Sequence, residues 1–123
     1  MFNVNRVTLL GNVTRDPEVK ATKTGHPVSH IGFATNRAWR DDKGTLQREP
    51  EYHYLVCFGT LAEFADKRVK KGLPLYVEGR LHTSHWEGKK GPASRTEVLV
   101  DRLVLLNSKK KGTVEAAQAE DED

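Results

Sequence analysis

Tyr52, Tyr54 and Phe58 stand at alternate positions in the run Glu51-Tyr-His-Tyr-Leu-Val-Cys-Phe58. A β-strand sends successive side chains to opposite faces, so this spacing puts three rings on one face and His53, Leu55 and Cys57 on the other, core-facing side. Trp39 and Trp86 each close another strand-like segment, and Lys and Arg are frequent around all of them. Flat rings along a sheet can stack on unpaired bases, at about 1–3 kcal/mol per base, because every base presents a π-face. Cations beside the rings can track phosphates by displacing counterions. The candidate stacking residues are Trp39, Tyr52, Tyr54, Phe58 and Trp86. The candidate phosphate neighbours are Arg6, Lys20, Arg37, Arg40, Lys70, Lys71, Arg80 and Arg95, joined by Lys89 and Lys90 from a basic loop. Phe33 and Phe64 are expected in the core.

Other chemistries find little support. His82 and His85 have a three-residue spacing that sends them to opposite faces of a strand, and Cys57 has no second thiol, so no structural metal and no cofactor are expected. There is no Ser/His/Asp order, paired-carboxylate cluster, P-loop or Gly-x-Gly-x-x-Gly motif, and the chain reads as a non-enzyme. Asp41-Asp-Lys-Gly44 is hairpin-tip chemistry rather than a cation site.

The 123 residues suit one domain with a tail. The net charge of +3 conceals a split: residues 1–111 hold all 20 Lys and Arg against 12 Asp and Glu, whereas residues 112–123 hold five acids and no base. A basic body points to a polyanionic partner, and the acidic end is read either as a tail that competes for the same surface or as a solubilising terminus. One cysteine excludes a disulfide framework and fits a reducing cytoplasm. No apolar run approaches the length of a membrane span, and Met1-Phe-Asn-Val4 leads directly into a strand-like segment without a signal-peptide pattern.

The elements that must carry these residues follow from periodicity and punctuation. Asn5 to Val13 is a strand broken at Gly11-Asn12, continued by Glu18-Val-Lys20 after the Asp16-Pro17 bend. From Val28 to Trp39 the odd positions Ile31, Phe33, Thr35, Arg37 and Trp39 share a face that passes from apolar to polar. Asp41–Gly44 turns the chain into a returning strand, Arg48 to Phe58. Leu61 to about Lys70 is the one helix, with Thr60 and Glu63 as a capping box, and Gly72 and Pro74 ending it. Leu75 to Trp86 alternates again, with Leu75, Val77, Gly79 and Leu81 facing inward. Glu87–Pro92 reads as a mobile basic loop, and Arg95 to Leu106 as the last strand. Residues 108–123 read as a disordered acidic tail behind a domain of residues 1–107. Three strands, a helix and two strands is the connectivity of an OB-fold: an all-β, five-stranded barrel with one helix, whose strand 2–3 face binds oligonucleotides.

The chain also resembles the bacterial single-stranded DNA-binding proteins over residues 3–106. The matching stretches include Asn5-Arg-Val-Thr-Leu-Leu-Gly-Asn12, Asp16-Pro-Glu-Val19, Phe33-Ala-Thr35, Glu51-Tyr-His-Tyr-Leu-Val-Cys-Phe-Gly59, Leu61-Ala-Glu63 and Tyr76-Val-Glu-Gly-Arg-Leu81. The resemblance implies an OB-fold homotetramer that wraps single-stranded DNA in replication, recombination and repair, in the cytoplasm with the nucleoid. It carries base stacking onto Trp39, Tyr52, Phe58 and Trp86, and a subunit interface onto His53. Tyr52 stands where relatives often have Trp, and Tyr54 where they often have a basic residue. Family tails end in acids and a hydrophobic tip that docks replication and repair proteins. Here the sequence reads Glu120-Asp-Glu-Asp123 without that tip, so replication and repair proteins remain possible partners while docking through a hydrophobic tip is in question. The alternative from another class is an OB-fold replication-restart or assembly module acting mainly through protein contacts.

Overall fold

Strand alternation, two tight turns and one glycine-led helix lay out the chain in the computed structural model, which describes residues 1–106 and 114–119. The strands are β1 (Val7–Val13), β2 (Glu18–Ala21), β3 (Pro27–Arg40) and β4 (Leu46–Phe58), followed by the helix α1 (Thr60–Arg68). Then come β5 (Pro74–Gly88), β6 (Gly91–Leu106) and β7 (Val114–Gln118). Five of the strands close a barrel in the order β1-β5-β6-β4-β3, with β1 pairing back onto β3 and only the β4–β6 contact parallel. The helix between β4 and β5 completes the connectivity read from the sequence, and the architecture is an OB-fold.

The barrel is filled by the inward residues of each strand. Ile31 and Phe33 of β3, Leu55 of β4, Leu75 and Val77 of β5 and Leu103 of β6 are all buried, and Leu61, Ala62, Ala65 and Val69 seal one end from the helix side. Full burial of such a side chain contributes about 1.5–3 kcal/mol, so this cluster is the main source of stability. Cys57 belongs to it, and burial pushes its thiol up to about 12.

Closure depends on a corner in β1. Residues Val7–Asn12 pair with β5, and Asn12 and Val13 pair with β3. A Cβ at Gly11 would collide with the Ala34 carbonyl oxygen, so a residue without a side chain stands where the two ladders meet. The sequence break expected at Gly11-Asn12 is therefore a change of partner within one strand. Beyond the Asp16-Pro17 bend, β2 lies along the start of β3.

Several local expectations are corrected. The capping box does not form: Gly59 is the N-cap, with φ of 64° and no side-chain cap bond, so Thr60 already lies inside the helix. That positive φ is open to glycine at little cost, and the Gly59 N–H donates to the Pro27 carbonyl at 3.0 Å, which fixes the exit from β4. The basic segment Glu87–Pro92 is not a loose loop: the β5–β6 ladder runs out to Gly88 and Gly91, leaving Lys89 and Lys90 as a two-residue tip. Leu81 is exposed, because the β1 ladder alongside β5 ends at Gly79. Within the tail read as disordered, Val114–Gln118 pair with Leu106–Arg102 of β6, and Ala117 and Ala119 pack on the core. The C-terminal half of β6, beyond its pairing with β4 at Val98 and Leu99, offers a free edge there, which explains the pairing. The other residues of the expected tail lie outside the described residues.

Two outcomes follow. Replacing Gly11 by Ala forces the corner open and is expected to lower stability by about 1–3 kcal/mol in chemical denaturation. The Cys57 thiol is expected to react with an aromatic disulfide reagent only at the rate of unfolding; rapid labelling of the native protein contradicts its burial.

Candidate nucleic-acid interface

The long β3–β4 hairpin is set by Asp41, whose carboxylate accepts the N–H groups of Lys43 and Thr45 at 2.9 Å each and the Gln47 amide at 3.0 Å. The hydrogen bonds from Thr45 and Gln47, with Lys43 adding to them, hold its carboxyl below the usual range. This tip fixes a register in which Ala34 faces Tyr52, Gly32 faces Tyr54 and Val28 faces Phe58. All of these lie on the outer face of the barrel wall, and His53, Leu55 and Cys57 point the other way.

The rings expected to be exposed are exposed: Tyr52 by 65 %, Tyr54 by 43 %, Phe58 by 51 % and Trp86 by 48 %. The face is not uniform, however. Val56 lies between Tyr54 and Phe58 and is buried, because Leu99 of β6 pairs alongside it. Small partners across the hairpin, Gly32 and Ala34, leave the two tyrosines standing clear of the sheet.

Arg95 of β6 brings the β5–β6 hairpin onto the same surface. Its guanidinium lies 4.8 Å from the centre of the Tyr54 ring, a cation–π contact, and 3.1 Å from the Glu97 carboxylate. Glu97 is itself buried and accepts a 2.6 Å hydrogen bond from Ser84. Burial alone would raise its carboxyl, but the hydrogen bonds from Ser84 and Arg95 and the charges of Arg95 and His30 outweigh that and hold it below the usual range. Trp86 lies two residues from Ser84 and so shares this face of the hairpin.

Trp39 is placed differently. By alternation it belongs to the face opposite Tyr52, in the outer part of the hairpin beyond the core, where it is half-buried under the Arg37 guanidinium at 4.8 Å. The hairpin therefore offers rings on both faces.

The expected cations divide. Lys20, Arg80 and Arg95 share the face of Tyr54 by register, and Lys89 and Lys90 form the tip beyond Trp86. Arg40 donates to the Gly44 carbonyl at 2.9 Å within the hairpin. Arg6 is held by Asp101 at 2.9 Å and Glu78 at 3.9 Å, which offsets its charge. Lys70 and Lys71 lie in the turn after α1, where the Lys71 N–H donates to Asp16 at 2.8 Å. His53 makes an intramolecular 2.9 Å contact between its Nε2 and the Thr35 hydroxyl, and its ring tilts against Phe33. Arg15 and His30 were not among the sequence candidates, yet both line the hollow beside Tyr54. A lone Arg in a bend carries no periodic signal, and only the folded bend brings it beside Gly32 and Tyr54.

Comparison with known proteins agrees with this geometry. Residues 4–106 match the model of the single-strand binding protein family. Single-stranded DNA-binding protein 1 of Chlorobaculum tepidum is 34 % identical over 111 residues, covering 89 % of this chain and 68 % of that protein. Among solved structures, the Plasmodium falciparum SSB complex with ssDNA superposes with a TM-score of 0.77 at 30 % identity, covering 87 % of this chain and 98 % of that one. A deletion mutant of the single-stranded DNA binding protein from Thermus aquaticus gives a TM-score of 0.68 at 26 % identity, covering 83 % and 56 %.

Glu97 provides a pH test. Its depressed carboxyl contributes stability that is complete above the ordinary value of about 4.3 and is lost as pH falls through the lower folded value. Glu97→Gln is expected to cost about 1–3 kcal/mol at pH 7 and to flatten the fall in stability below about pH 4. Parallel pH profiles of the two proteins in thermal unfolding would count against this role.

Proposed function

The chain belongs to the single-strand binding protein family, and from that premise we propose that it binds single-stranded DNA without sequence preference. Bases stack on Tyr52, Phe58 and Trp86, with Trp39 serving the opposite face of the hairpin and Tyr54 completing the wall between them. Lys20, Arg80, Lys89, Lys90 and Arg95 follow the phosphates on this surface, with Arg37 and Arg40 beside Trp39. The observation that carries the reading is the exposed aromatic surface shared by two hairpins of an OB barrel and lined with cations. The solved complex of a similar chain with ssDNA supports it.

The binding unit is residues 1–107, and residues 108–123 supply an acidic tail. The protein acts by binding rather than by catalysis, without metal or cofactor. It serves as a homotetramer with His53 near a subunit interface, protecting exposed strands during replication, recombination and repair in the cytoplasm. The family supports the tetramer, and so does Leu10, a large apolar side chain left exposed on the outer side of β1. No helix among the described residues is long and apolar enough to cross a membrane.

Tryptophan fluorescence gives the direct test, since Trp39 and Trp86 both lie on the hairpins. Titration with oligo-dT at several salt concentrations is expected to show quenching, affinity that falls with salt, and weak competition by duplex. Tyr52→Ala and Phe58→Ala are each expected to lose about 1–3 kcal/mol of binding with little change in fold. Equal affinity for duplex and single strand would falsify the reading.

A further inference from the structure

We propose that the hollow between the β1–β2 bend and Tyr54 is a phosphate pocket, in which Arg15 and Lys20 hold an anion and Tyr54 serves as a wall that orients Arg95 rather than as a stacking platform. The inference rests on the single-strand reading above and assigns one part of that surface.

The pocket is held by contacts among three elements. The Thr14 N–H donates to the Gly32 carbonyl at 2.9 Å, and the Asp16 carboxylate accepts the Lys71 N–H at 2.8 Å, so the bend carrying Arg15 is fixed on both sides. Gly32 then decides where Arg15 lies. A Cβ at that position would stand 2.6 Å from the Thr14 hydroxyl and 3.0 and 3.2 Å from Nε and Cγ of Arg15. A side chain there would press on Thr14 and Arg15, so the glycine leaves Arg15 room to lie across β3. Gly32 is also the cross-strand partner of Tyr54, so the side chain it admits reaches the hollow that the tyrosine walls.

Charge selects the ligand. Arg15, Lys20 and Arg95 line the hollow with His30 and Tyr54, against the single carboxylate of Glu18. Among the described residues, neither Arg15 nor Lys20 has an ion-pair partner, in contrast to Arg6, Arg95 and Arg102. A guanidinium and an ammonium presented together without a carboxylate partner suit a phosphate, which the planar fork can bind through two N–H groups. One face of the Tyr54 ring is already covered by Arg95 at 4.8 Å, which leaves less of the ring for a base. Tyr52 and Phe58 are six residues apart on β4, about 20 Å along a strand. A strand stacked on both rings must carry its phosphates past this hollow.

Arg15→Gln and Lys20→Gln in the full chain test the assignment, with Lys67→Gln on the exposed side of the helix as a control. Binding of oligo-dT, with and without a 5′-phosphate, is measured against salt. Each pocket variant is expected to lower affinity roughly five- to tenfold at about 50 mM salt and to reduce the slope of log K against log salt by about 0.7; the control is expected to change neither. A loss seen with both oligonucleotides assigns an internal phosphodiester, and a loss confined to the 5′-phosphorylated one assigns a strand end. Tyr54→Phe keeps the ring over Arg95 and is expected to bind as the parent does. In a second arm, inorganic phosphate is titrated into isotope-labelled protein. Amide shifts at Gly32 and Tyr54 are expected in the parent and absent from Arg15→Gln. Unchanged slopes in both pocket variants, with the parent binding oligo-dT normally, overturn the pocket. Absence of oligo-dT binding by the parent overturns the parent reading instead, and the phosphate shifts then decide the pocket by themselves.

Discussion

The surface that carries the exposed rings depends on the corner that β1 turns at Gly11, where one strand leaves β5 and joins β3. At that point the Ala34 carbonyl occupies the space of a side chain, and Ala34 is the cross-strand partner of Tyr52. Barrel closure and the placement of the first ring are therefore one packing event. Two residues earlier on β3, Gly32 repeats the device on the outer face, where it admits Arg15 beside Tyr54. Close approach of backbone, bought by missing side chains, sets the spacing of the whole wall.

Two of the aromatic residues are held before any ligand arrives. Arg37 covers Trp39, Arg95 covers Tyr54, and the buried Glu97 with Ser84 anchors Arg95. A side chain already confined in this way loses less freedom on binding, so more of each contact is available as affinity. The same contacts limit what a ring can do, since a face taken by a guanidinium is not a free platform. The five candidate rings thus divide into freely exposed ones, Tyr52, Phe58 and Trp86, and cation-covered ones, Trp39 and Tyr54.

Most of the fold was legible because its signals are local. The alternation of Glu51 to Phe58 separates three exposed rings from Leu55 and Cys57, and Asp41–Gly44 marks the hairpin tip by turn chemistry alone. The helix was legible in extent but not in its cap, because Thr60 and Glu63 match a capping box only if the chain enters at Thr60. The positive φ of Gly59 moved the entry back by one residue. Lys89 and Lys90 looked like a loose loop because glycine and lysine dominate the segment, whereas cross-strand pairing extends to the tip. The tail strand was hidden because the short run Val114–Gln118 has no periodic signal, although its partner is the end of the strand that precedes it.

The sequence by itself determined the succession of the barrel strands and the helix along the chain, the alternation of Tyr52, Tyr54 and Phe58 and the basic character of the body, each a consequence of neighbours within a few residues. It also carried enough matched motifs to place the chain in its family. Only the tertiary structure decided that Arg6 is neutralised by Asp101 and Glu78, that Trp39 faces away from Tyr52, and that Arg15, Lys20 and Arg95 converge on Tyr54 from three separate strands and bends. Those are long-range facts. They follow from barrel closure and register, which bring residues tens of positions apart within ångströms of one another, and no local pattern encodes that proximity.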